Sequence, residues 1–248
     1  MEVYPLYNLI AELEQANTQE ELKSLCLKFC QLVNTPFYLM GIISQNSLYS
    51  PNINILTNYP DQWMDFYLEK SKTKADPVVS YIISQNAPIC WHQLMAIDEF
   101  KTIEQQDLMQ QASQYGLING LSVPIHSVSG DIAVLSLAND IKDDAGVDIV
   151  EQALPYAHIF SMHLFERYLA ILSQDNLSET EIKLTEREIQ CLFWACEGKT
   201  SWEMSQILEI TERTVAFHLN NSVKKLGATN RQHAVAIATK KGLIQPNI

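Results

Sequence analysis

No stretch of this 248-residue chain approaches the ~18 consecutive apolar residues that a membrane-spanning helix requires. The start, Met1-Glu2-Val3-Tyr4-Pro5, carries no basic cluster leading into an apolar run. Neither membrane insertion nor export is expected. Cysteine is sparse: the five, at positions 26, 30, 90, 191 and 196, are odd in number and show no metal-ligand spacing, which suits reduced thiols in a cytoplasm. The six histidines (His92, His126, His158, His163, His218, His233) contain no H-x-H or H-E-x-x-H pair, and no Gly-x-Ser-x-Gly elbow occurs. Nothing here equips an enzyme with a metal or an activated serine, so no enzyme, cofactor or metal is expected. Basic residues are also scarce, 17 against 29 acidic, for a net charge of -12.

What is present points to a folded chain of two parts. With 47% hydrophobic and 19% charged residues the sequence lies far from disorder, and its length exceeds the usual single core. The charge is divided unevenly. Residues 1–175 hold 21 acids and 8 bases, whereas 176–248 hold 8 acids and 9 bases, and no acid follows Arg213. A basic C-terminal face fits phosphate contact, although charge alone does not separate that from a solvated surface. The polar stretch around Ser173-Gln174-Asp175-Asn176 lies where the charge changes. We read 173–183 as a linker between a domain at 1–172 and another at 184–248.

The first part alternates helices and strands. An early helical pair runs through Leu13, Leu22 and Phe29; strands are expected at Phe37–Ser44, Asn52–Thr57, Leu121–His126 and Ile132–Asn139. Ser127-Val128-Ser129-Gly130 has hairpin-turn chemistry. Helices are expected at Asp61–Lys70, Val78–Gln85 and Val147–Leu172. Mostly antiparallel strands with helices on both faces make an α/β/α sandwich, an α+β architecture. A phosphoreceiver is disfavoured, because the first strand lacks the acidic pair that fold needs.

Caps delimit the second part, expected to be an all-α four-helix unit. Thr185 with Glu188, and Thr200 with Glu203, are capping boxes; Thr211 and Asn230 open two more helices, and Gly198, Gly227 and Gly242 end them. Ile189, Leu192, Phe193 and Cys196 are expected inward on the first of these helices, and Met204, Ile207 and Leu208 on the second. The tight turn Glu209-Ile210-Thr211 gives a helix-turn-helix, in which the following helix enters the major groove. Its outward positions include Arg213, Thr214, Ala216, Phe217, Asn220, Lys224 and Lys225, which suit base edges, a thymine methyl and phosphates. A small helical bundle built for protein contacts has the same spacing.

Leu184 to Ile244 resembles the DNA-binding domain of LuxR-type transcriptional regulators: Glu188, Leu192 and Gly198 stand at the signature positions, and Gly198-Lys199-Thr200 and Thr214-Val215 also match. The resemblance implies double-stranded operator DNA as partner, base-facing positions at Ala216, Phe217 and Asn220, and contact with RNA polymerase. A homodimer is expected, since one unit makes few base contacts and specificity comes from two on a near-palindrome.

In the first part, Trp63 and Tyr67 share a helix face, Asp76-Pro77 opens a helix, and Trp91 follows a short strand-like run. Aromatic walls with an indole N–H, a phenol and a carboxylate suit a small-molecule pocket; an aromatic core with Asp76 as a plain helix cap is the competing account. Trp63, Tyr67, Asp76, Pro77, Trp91 and Gly120 match in order and spacing the six-residue pattern of LuxR-type autoinducer-binding domains. That resemblance implies an N-acyl-homoserine lactone as ligand. Trp63 would donate to the lactone carbonyl, Asp76 accept from the amide N–H, Tyr67 donate to the amide carbonyl, and Trp91 cover the lactone ring. Pro77 and Gly120 would shape the backbone, and Ser136 add a hydroxyl. Pocket depth is expected to depend on Phe37, Tyr38, Met40 and Ile55. Two other readings stay open: a regulator for a different amphiphile or none, and a lactone-processing enzyme fused to a DNA-binding unit.

Overall fold

The structure, a computed structural model, describes residues 3–44, 51–69, 72–128, 130–175 and 183–244. Most of the expected linker, Ser129 of the hairpin turn and Lys70 lie outside the described residues. The chain divides into two compact units, the first ending close to residue 176.

In the first unit β1 (Phe37–Ser44), β2 (Asn52–Thr57), β3 (Ile89–Cys90), β4 (Asn119–His126) and β5 (Ile132–Asn139) form one five-stranded sheet in the order β2-β1-β5-β4-β3. Every pairing is antiparallel. One face is covered by α1 (Val3–Gln15), α2 (Gln19–Val33) and α7 (Asp144–Asp175), the other by α3 (Asp61–Glu69), α4 (Pro77–Ser84), α5 (Trp91–Leu94) and α6 (Ile103–Gln114). This is the expected sandwich.

The two faces are built from alternate residues of the same strands, because successive side chains of a strand point opposite ways. Tyr38, Met40 and Ile42 of β1 join the α1/α2/α7 core, where Phe29 stacks on Phe160 with ring centroids 4.0 Å apart. Leu39, Gly41 and Ile43 face the other side. Local signals explain the helix starts. Thr18 and Glu21 cap α2 reciprocally, and Thr102 and Gln105 do the same for α6. Sequence reasoning missed α6 because it buries only Gln105, Leu108 and Ala112, too few apolar positions to make a periodic stripe.

The second unit consists of α8 (Glu186–Cys196), α9 (Ser201–Leu208), α10 (Glu212–Lys225) and α11 (Arg231–Lys240), opened by Thr185, Thr200, Thr211 and Asn230. Cys191, Leu192, Met204, Val215, Leu219 and Ala234 meet in its core. Two expectations fail here. Cys196 is exposed, at the last turn of α8, with Cys191 buried instead, and Ile207 is 42% exposed. Between α9 and α10 the turn is closed by Glu209 in the left-handed region, φ 54°. Among the described residues no helix is long and apolar enough to cross a membrane.

Candidate functional site

Between the sheet and α3, α4 and α6 lies a cavity of about 380 Å³, within the ~300 to 1,000 Å³ common for small-molecule sites. Its walls are mainly apolar: Leu39, Gly41, Ile43, Ile53, Ile55 and Val134 from the sheet, Val78, Val79, Ile82 and Ile83 from α4, and Leu108, Met109 and Ala112 from α6. Tyr59, Trp63, Tyr67, Asp76, Trp91 and Ser136 reach the same space.

Asp76 owes its position to its role as the N-cap of α4. Its Oδ1 accepts from the Val78 N–H at 2.7 Å, and Pro77 at the first helical position needs no donor there. Its Oδ2 accepts from the Tyr67 hydroxyl at 2.7 Å. Burial pushes the Asp76 carboxyl up from its ordinary range, opposed by the hydrogen bonds from Tyr67 and Val78. Trp63 and Tyr67 lie four apart on α3 with ring centroids 5.8 Å apart, and Trp63 also packs against Phe66 and Tyr115. The Trp63 indole N–H donates to no described residue. Tyr59 is buried, and its hydroxyl has no partner among the described residues.

Trp91 is fixed from two sides. Its Nε1–H donates to Ser122 Oγ at 3.0 Å, and Ser122 Oγ lies 2.9 Å from Ser136 Oγ. An indole nitrogen can only donate, so Ser122 accepts there, and the Ser122 hydroxyl in turn ties the Ser136 hydroxyl at the cavity wall into the same chain, with either serine able to be the donor between them. Gly120 presses on the ring: a Cβ at this position would meet Trp91 Cε2 at 2.5 Å, a distance only glycine avoids.

Of the residues singled out from sequence, Trp63, Tyr67, Asp76, Trp91 and Ser136 come together on this cavity. Pro77 and Gly120 stand behind it and act through the backbone. In this structure the Tyr67 hydroxyl donates to Asp76. One expectation needs correction. Tyr38 and Met40 do not set the depth, since they face the opposite core; Leu39, Gly41 and Ile43 do. Sequence reasoning missed Tyr59 and Ser122. Tyr59 precedes Trp63 by four residues, repeating the Trp63-to-Tyr67 interval, and that repeat was the available signal.

On α10, Val215, Leu219 and Ser222 are buried, while Arg213, Ala216, Phe217, Asn220 and Lys224 are exposed along one side. Phe217 is 60% exposed, unusual for so large an apolar group. The Thr200 hydroxyl caps α9 and bonds Glu203, and the Thr214 hydroxyl lies 2.8 Å from that of Thr211. Lys225 departs from the outward row. Its Nζ donates to Glu188 Oε2 at 2.8 Å and to the Lys183 carbonyl at 3.0 Å. Burial would raise the Glu188 carboxyl, but Lys225 and the Thr185 N–H and hydroxyl outweigh it and hold the pKa low. Lys225 therefore serves as the counter-charge of the buried Glu188 carboxylate.

Comparison with known proteins finds two families matched in order along the chain. Residues 18–168 match the autoinducer binding domain family, and 182–238 match the family described as bacterial regulatory proteins, luxR family. The transcriptional activator protein LuxR of Aliivibrio fischeri is 33% identical over 240 residues, covering 96% of this chain and 94% of that one. The transcriptional activator VanR of Vibrio anguillarum is 32% identical over 244 residues, covering 98% and 99%. Among solved structures, Escherichia coli SdiA superposes with a TM-score of 0.74 at 24% identity, covering 97% of this chain and 98% of its own, a likeness of fold. These sequence relatives are transcriptional regulators and not enzymes. With both domains matched in order and a third of its residues shared with LuxR across nearly the full length of both, the chain belongs to the LuxR-type transcriptional regulators, an autoinducer-binding domain followed by a DNA-binding helix-turn-helix domain.

Proposed function

We propose that this regulator works in the cytoplasm, takes an N-acyl-homoserine lactone into the domain at 1–172, and binds a near-palindromic operator as a homodimer through 184–248, with 173–183 as linker. The observation that carries the ligand half is the half-buried Asp76 carboxylate, anchored by Tyr67 and Val78 at the wall of a mainly apolar cavity. A secondary amide N–H is the natural partner for a carboxylate already supplied with two donors. The free Trp63 indole N–H then serves the lactone carbonyl, the hydroxyls of Ser136 and Tyr59 the acyl carbonyl, and the Trp91 face the ring. Arg213, Ala216, Phe217 and Asn220 face bases in the groove, while Thr200, Thr214 and Lys224 contact phosphates. The DNA-bound dimer then engages RNA polymerase.

A second reading keeps the tail and changes the head. SdiA, which superposes at a TM-score of 0.72, is known in complex with octanoyl-rac-glycerol, and the apolar walls here suit any monoacyl amphiphile. Incubating the purified protein with acyl lactones and identifying what the denatured protein releases by mass spectrometry separates these readings. One intact lactone per chain is expected. Recovery of ring-opened product would indicate an enzyme, and recovery of no lactone would overturn the proposal.

A further inference from the structure

We infer that Gly41 sets the length of acyl tail this protein accepts, because it is the gap in the middle row of the sheet's cavity face past which a tail must run; the inference rests on the reading of this cavity as the ligand site. The strand register lays the cavity face out in parallel cross-strand rows. Leu39 of β1 is opposite Ser136 of β5, and Ser136 is opposite Ser122 of β4, so the hydroxyls occupy one row. Two residues along β1, Gly41 is opposite Val134 and Ile55; two further, Ile43 is opposite Ile53. Rows two residues apart are ~6.7 Å apart, so the Ile43/Ile53 row lies ~13 Å from the serines.

A ligand whose carbonyl is held at the serine row must pass the middle row to reach that apolar end, and Gly41 is where β1 presents no side chain. An extended alkyl chain advances ~1.25 Å per bond, from a C–C length near 1.5 Å and tetrahedral-like angles, so the span corresponds to a tail of roughly ten carbons. Neither neighbouring packing nor backbone strain requires glycine here. A Cβ added at Gly41 would meet Leu39 Cδ2 at 3.5 Å and Val134 Cγ1 at 3.6 Å, both ordinary contacts. What a methyl group would take is ligand volume.

The test is ligand-induced thermal stabilisation and affinity of the full-length protein with butanoyl, hexanoyl, octanoyl, decanoyl and dodecanoyl homoserine lactones, and with the matching monoacylglycerols. Wild type should favour octanoyl and longer tails. In Gly41→Ala, which should fold normally, affinity for the decanoyl ligand should fall about tenfold while that for the shortest ligand bound changes by less than about threefold. Gly41→Val should move the optimum shorter still, and if it fails to fold the alanine variant decides. An unchanged ratio of long- to short-tail affinity in Gly41→Ala overturns the inference, as does a wild type that prefers butanoyl. Response to the glycerols but not the lactones overturns only the head-group reading, with the Gly41 comparison then read on the glycerols. No response to either series overturns both.

Discussion

Asp76 is the residue on which the proposed binding and the stability of the fold meet. Because burial raises its pKa, the carboxyl in the unliganded protein contributes stability below the ordinary carboxylate range, and that contribution is lost as pH climbs through the raised value. A ligand N–H favours the ionised form. Affinity should therefore be greatest above the raised pKa and fall as pH drops through it, with proton release on binding near that point; calorimetry in buffers of different ionisation enthalpy measures both. Asp76→Asn should weaken binding about tenfold or more, since a charge-assisted hydrogen bond contributes ~1.5 to 3 kcal/mol. An unchanged affinity in the folded variant would remove Asp76 from the ligand. Ser122 gives a sharper test, for it orients Ser136 without itself lining the cavity. Ser122→Ala leaves a buried indole N–H unpaired, so stability should fall by ~1 to 3 kcal/mol, read as a lower melting temperature, and ligand affinity should drop with it. Loss of stability with full affinity would show that Ser136 needs no orientation.

Within α10, chemistry assigns different failures to neighbouring positions. Asn220→Ala should relax base preference at one position per half-site by ~1 to 3 kcal/mol, whereas Lys224→Ala should weaken all sequences alike and lower the salt-dependence slope by about one per subunit. Lys225→Met should instead lower the melting temperature of the second unit with the salt slope little changed, because its partner is Glu188. Titrations on specific and scrambled operators at several salt concentrations distinguish the three. Elements with strong periodicity or caps were legible in the sequence: β1 and β2 end where their residues indicated, and each of α8 to α11 starts after its expected capping residue. The Trp63, Tyr67, Asp76, Trp91 and Ser136 cluster was legible as well, because its residue types are rare and chemically distinct. What stayed hidden was carried by tertiary contact. Lys225 looks like any outward lysine until α8 brings Glu188 to it, and nothing in the spacing of Tyr67 and Asp76 announces the hydrogen bond that Tyr67 donates to Asp76. The glutamine-rich α6 and the side of β1 that lines the cavity had no such signature.

At the scale of the whole molecule, a ligand that binds only the folded state adds stability by mass action, ~2.7 kcal/mol at a hundredfold excess over Kd. Melting temperature and soluble yield should rise with the matching lactone, and equal values across a panel of tails would contradict a ligand-stabilised fold. On its operator the protein should scatter light as a dimer; a monomer there would end the palindrome reading. The alternation of β1 has a further consequence for how such proteins diversify. Tyr38, Met40 and Ile42 are at most 1% exposed and belong to the core beneath the sheet, while Leu39, Gly41 and Ile43 look into the cavity. If the cavity is the ligand site as proposed, what is sensed and what keeps the chain folded are written in interleaved letters of one eight-residue word. A library randomised at the odd positions should yield mostly soluble proteins with new preferences, and one randomised at the even positions mostly insoluble ones, so that a lineage can change the signal it hears without relearning how to fold.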